Sequence, residues 1–167
     1  MSDSSGMEAL DYAHTAFNLA RAGDTVGLKR LLDLGLPANV HNERGDSLVM
    51  LASYHGHLEA TRLLLERGAD SEAANDAGQT PLGGAAFRGD LAMARLLLDS
   101  GASADGEDPA GRTPLMFAAM FDREEIVRLL LERGADKDWR SASGETAASL
   151  AAAMGAWRAL SALGVSG

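Results

Sequence analysis

The chain has 167 residues, 46% of them hydrophobic, enough for one domain with its own core or for a short array of repeats. Its net charge of -9 disfavours nucleic acid as a partner, because phosphates demand a basic face. It contains no cysteine, which excludes a disulfide scaffold, a thiolate metal site and a thiol nucleophile.

In chain order, the opening MSDSSGMEAL carries no basic region ahead of an apolar run, so no secretory signal is read there. No stretch approaches the roughly 18 consecutive apolar residues that span a bilayer. A soluble, cytoplasmic chain is expected, with no membrane partner. Residues 1–8 read as a disordered tail, in which Ser5 and Glu8 have the spacing of a capping box that would start the first helix. From residue 9 the sequence repeats with a period of 33. Gly45, Gly78, Gly111 and Gly144 keep that spacing, as do Gly35, Gly68, Gly101 and Gly134. The segments EATRLLLERGAD (59–70), AMARLLLDSGAS (92–103) and EIVRLLLERGAD (125–136) are one motif written three times. The units run 9–41, 42–74, 75–107, 108–140 and 141–167.

Each unit reads as a turn and two helices. The first helix starts at Ser47, Thr80, Thr113 or Thr146, spans about nine residues and ends near the glycines at 56, 89 and 155. Asp122 stands where the other units have glycine, and Asp is among the few residues that tolerate a left-handed backbone. The second helix carries the leucine triplets 63–65, 96–98 and 129–131 and stops at Gly68, Gly101 and Gly134. Helices shorter than roughly 12–15 residues are marginal alone in water, so these must stack on their neighbours.

AGQTPLGGAAFRGDLAMARLLLDSGAS and AGRTPLMFAAMFDREEIVRLLLERGAD resemble ankyrin repeats, and the resemblance covers residues 9–164. It implies an all-α solenoid of helix-turn-helix units with β-hairpin-like finger loops projecting at right angles. The end units are capping repeats: 9–41 lacks the finger and the T-P-L opening, and 141–167 replaces the leucine triplet with an Ala-rich stretch. Trp157 in that stretch is expected to plug the last hydrophobic layer. The family's T-P-L-H histidine is absent, its positions being Met50, Gly83, Met116 and Ser149.

Catalytic motifs are missing. There is no phosphate-binding glycine loop, nucleophile elbow or H-E-x-x-H, and the four histidines are His14, His41, His55 and His57. His55 and His57 form an H-x-H that could share a metal with a carboxylate, but His57 takes a structural position in the family pattern. No enzyme activity, cofactor or metal is therefore expected.

What remains is surface. The resemblance implies that a partner binds the concave face made by the fingers and the ends of the first helices. The variable pairs there are Tyr54/His55, Phe87/Arg88, Met120/Phe121 and Ala153/Met154, with Arg21/Ala22 in the cap. Tyr54, Phe87 and Met120 recur every 33 residues, which stacked repeats would align at intervals of about 10 Å. They either pack on one another or on the next finger, or form a binding ridge with the composition of interface hot spots. Finger tips add Glu43, Arg44, Asp46, Asp76, Gln79, Pro109, Arg112, Trp139 and Arg140. Trp139 either packs on the C-terminal cap or anchors a partner.

Acidity concentrates in residues 42–107, where Asp70, Glu72, Asp76, Asp105 and Glu107 lie in or beside two fingers, with Asp108 next in the chain. It serves solubility or steers a basic partner. The expected function is protein–protein recognition by a monomeric adaptor, regulator or inhibitor, its partner presenting an apolar patch bordered by Arg or Lys. A small-molecule or metal sensor and a structural spacer are the alternatives. The preference for Arg, with only Lys29 and Lys137 as lysines, fits a GC-rich bacterial genome.

One stretch resists the pattern. Gly83 and Gly84 occupy a first helix where each costs roughly 1 kcal/mol relative to Ala. Either neighbouring layers fill the missing volume, Leu51 or Phe117 in place of a side chain at 84, or the pair forms a notch in the concave face.

Overall fold

The computed structural model describes residues 4–166, and within them the period of 33 becomes ten helices. They are α1 (Ser4–Ala22), α2 (Thr25–Asp33), α3 (Leu48–Tyr54), α4 (Leu58–Glu66), α5 (Pro81–Arg88), α6 (Leu91–Asp99), α7 (Pro114–Met120), α8 (Glu124–Glu132), α9 (Ala147–Met154) and α10 (Trp157–Ala162). The odd-numbered helices stack in one row, α1 on α3 and so on to α9, and the even-numbered helices stack in a second row behind them. The two helices of each unit pack against each other. Among the described residues no strand forms; a single antiparallel bridge, His41 to Ser47, marks the first finger. The architecture is an all-α repeat solenoid.

Hydroxyl residues start four of the inner helices for a common reason. Ser47, Thr80, Thr113 and Thr146 each accept a hydrogen bond from the backbone N–H three residues on, satisfying a donor that the helix cannot. With the family's histidine absent, Ser149 goes further: its hydroxyl accepts from the Thr146 N–H at 2.9 Å, closing a reciprocal capping box. Gly89 ends α5 at φ 74°, where a side chain would be strained, and Asp122 takes the same conformation after α7 at φ 55°.

The core lies between the two rows. Leu64, Leu97 and Leu130, the middle leucines of the triplets, are fully buried. At about 1.5–3 kcal/mol each for full burial, they dominate the stabilisation of their layers. Ala52, Ala85, Ala118 and Ala151 form a buried column of small side chains that lets the inner helices approach the outer ones. Among the described residues every buried side-chain nitrogen or oxygen has a hydrogen-bond partner.

The ends differ from expectation at two points. Helix α1 begins at Ser4, so residues 4–8 continue the capping helix rather than forming a tail, and Ser5 lies inside it; residues 1–3 lie outside the described region. Trp157 does not plug the last layer. It is the first residue of a six-residue helix and is 73% exposed, while Ala156, Ala159 and Leu163 turn inward and cover the core.

Candidate interaction surface

Each finger is a tight turn built on one repeated pair of backbone bonds. Asn42, Asn75, Asp108 and Ser141 donate N–H to the carbonyl four residues on, and the glycine three residues on donates back. Neighbouring fingers are tied tip to tip: Asp76 N–H donates to the Arg44 carbonyl at 3.0 Å, and Ala142 N–H to the Ala110 carbonyl at 2.9 Å. The rung between the second and third fingers is missing. Pro109 stands at the donor position there and has no N–H, and its ring packs instead against Gly78.

Much of the acidity found in the sequence is spent on this scaffold. Glu72 accepts from Ser103 N–H at 2.8 Å and Asp105 from Asp136 N–H at 3.0 Å, each joining one repeat to the next. Asp108 accepts from Arg112 through Nε at 2.9 Å and is closed in an ion pair at 2.8 Å. Asp46 accepts from the amides of Asn42 and Asn75. Glu43 and Asp76 are exposed and, among the described residues, have no ion pair.

The inner-helix ends carry the rings. Tyr54, Phe87 and Phe121 are 40%, 42% and 36% exposed, high values for aromatic side chains. Phe87 and Phe121 meet edge to face with centroids 4.8 Å apart, and the Arg88 guanidinium lies over the Tyr54 ring at 5.2 Å. Met120, expected in this row by its spacing, is instead half-buried against the core. Phe121, the counterpart one period on of Arg88, lies beside Phe87 instead.

Other expected residues divide the same way. Arg44 and Gln79 stand exposed on finger tips, whereas Arg112 is half-buried, its guanidinium 5.0 Å from the Phe117 ring centre. Trp139 is half-buried and packs against the core. His55 donates from Nδ1 to the Leu51 carbonyl and His57 from Nε2 to the Arg21 carbonyl, each at 2.8 Å. His57 thereby joins the second repeat to the cap, as Arg123 joins the fourth to the third through the Phe87 carbonyl. Among the described residues no three His, Asp or Glu side chains are grouped to hold a metal.

Between the rings and the fingers the surface sinks. A side chain on Gly84 would first meet Tyr54 Cδ2, at 3.4 Å, and one on Gly83 would meet Phe117 only at 3.9 Å. Neither Leu51 nor Phe117 fills the space at Gly84, and a cavity of about 420 Å³ opens there. Tyr54, Phe87 and Phe117 wall it, the two glycines form its floor, and Gln79, Asp108 and Arg112 form its finger side. Phe117 was missed as a site residue. Its signal was present, since it is the bulky counterpart, one period on, of Gly84.

Stacked helix pairs bearing turn fingers define a helical repeat protein, and the family model for ankyrin repeats, three copies long, matches residues 14–108 and 82–163. The chain belongs to the ankyrin-repeat family. It is similar to the "Putative ankyrin repeat protein PA3287" of Pseudomonas aeruginosa, with 53% identity over 57 residues. That match takes in 34% of this chain and 33% of the relative, so the aligned region is about a third of the relative's length. Ankyrin repeats generally act in protein–protein interaction and typically have no catalytic activity. Among the described residues no helix is long and apolar enough to cross a membrane.

Proposed function

We propose that this chain is a non-enzymatic recognition module that binds a partner protein on its concave face, as an adaptor, regulator or inhibitor. One observation carries the reading: Tyr54, Phe87 and Phe121 leave their rings exposed at the C-terminal ends of successive inner helices. Large exposed apolar groups beside arginine match the composition of interface hot spots. The face is held by short helices, caps and finger bonds, so binding orders little that is not ordered already. The module works as a monomer in the cytoplasm, without cofactor or metal.

The test is affinity capture from native lysate with the wild type beside a Tyr54→Ala/Phe87→Ala/Phe121→Ala variant of unchanged circular dichroism. Partners retained by the wild type should be lost by the variant. Equal capture by both would exclude the concave face.

A small-molecule sensor has one observation in its favour, since about 420 Å³ falls within the size range of ligand pockets. A thermal-shift screen against metabolites should leave the midpoint unmoved if the protein partner is the correct reading.

A further inference from the structure

We infer that the double-glycine notch is a pocket for one large apolar side chain, aromatic or long aliphatic, of a partner polypeptide that carries Arg or Lys within a few residues of it. The inference rests on the concave face being the binding face, and it names what that face reads.

Three features converge on the cavity. Its floor lacks side chains because Gly83 and Gly84 replace the Met and Leu of the repeat before, Met50 and Leu51, and the Met and Phe of the repeat after, Met116 and Phe117. Three rings wall it, two of them exposed, and a flat apolar side chain entering there meets rings edge-on or face-on. Its finger side is where Pro109 leaves out the backbone rung, so the second and third fingers are not zipped together across its mouth.

Charge identifies the neighbour. A second concavity of about 440 Å³ adjoins the first and shares Ala77 and Gln79 with it. It is edged by the carboxylates of Glu43, Asp46 and Asp76 and by one guanidinium, that of Arg44. Three carboxylates against one cation leave an excess of negative charge, which a partner Arg or Lys would neutralise. The apolar cavity itself has no such excess, because Asp108 is paired with Arg112. An apolar side chain in the first and a cation in the second therefore fit, and the reverse assignment does not.

The test uses random dodecapeptides displayed on phage, selected on the full chain, then synthesised with fluorescein and measured by polarisation. The selected sequences should share a Trp, Tyr, Phe, Leu or Met with Arg or Lys a few residues away. Gly84→Leu, which restores the residue found at position 51, should weaken them about tenfold or more while the circular dichroism stays native. Gly84→Ala, a smaller plug, should give an intermediate loss. Glu43→Gln/Asp76→Asn should weaken them less, and the difference should shrink in high salt. Selected peptides without a bulky apolar residue, or an empty selection, would overturn the pocket. Peptides that bind Gly84→Leu as tightly as wild type but fail on Phe121→Ala/Met154→Ala remove the pocket and leave the concave face standing. Peptides indifferent to both variants remove both.

Discussion

Asp122 is a residue whose backbone and side chain make opposite demands. At φ 55° it sits where glycine would be relaxed, yet its Oδ1 accepts the Ala159 N–H at 2.8 Å and so fixes the C-terminal cap. Asp122→Ala should lose about 2 kcal/mol in denaturant melts, combining left-handed strain with a lost hydrogen bond. Asp122→Asn should lose much less, because Asn tolerates that backbone and keeps an acceptor. Gly84 is the converse case. A methyl group there meets Tyr54 at ordinary contact distance, so Gly84→Ala should stabilise the chain by up to about 1 kcal/mol. Gly83 is the poorer place for that gain, since its methyl would stand 3.1 Å from the Thr80 hydroxyl that caps the helix. The sequence showed that both glycines were out of pattern. It could not decide between filling and notch, because that depends on where the Tyr54 and Phe117 rings come to rest.

Within an element, burial and ion pairing contribute very differently. Leu97 is fully buried in α6, and Leu97→Ala should cost about 2–5 kcal/mol by thermal or denaturant unfolding. Asp33, at the end of α2, accepts from Lys29 at 2.8 Å and Arg67 at 2.7 Å. The Lys29 hydrogen bond first, then that of Arg67, hold its carboxyl below the ordinary carboxylate value. A carboxylate depressed in the fold stabilises above its unfolded pKa, and that contribution fades as pH falls through the folded value. Asp33 is solvent-exposed, so the effect on stability should be small. A carbon-13 carboxyl titration should find its midpoint low, and Arg67→Gln should move it upward. These elements were legible from the sequence, since the leucine triplets and the hydroxyl caps announce themselves every 33 residues. Met120 was not, because both members of the Met120/Phe121 pair are large and apolar, and neither composition nor spacing decides which of the two turns toward the core.

For the whole molecule, the two tryptophans report separately on its body and its end. Trp157 is exposed on the terminal cap and Trp139 is half-buried against the core. Acrylamide should quench most of the accessible emission from Trp157, and Trp157→Phe should leave a bluer, less quenchable spectrum with stability nearly unchanged. Sequence alone placed Trp157 over the core because a large apolar residue near the end of an array is the natural plug. A six-residue helix has too few positions for that, and it assigns its inward ones to alanine and leucine.

The cavity at Gly83 and Gly84 is made by subtraction: no helix bends and no extra loop is inserted to form it. Substitution at two codons would close it, and the corresponding pair of codons in a neighbouring repeat offers the same opportunity elsewhere. An array built this way can be revised one rung at a time, at the cost of the packing that the buried Met50, Leu51 and Met116 supply in the neighbouring rungs.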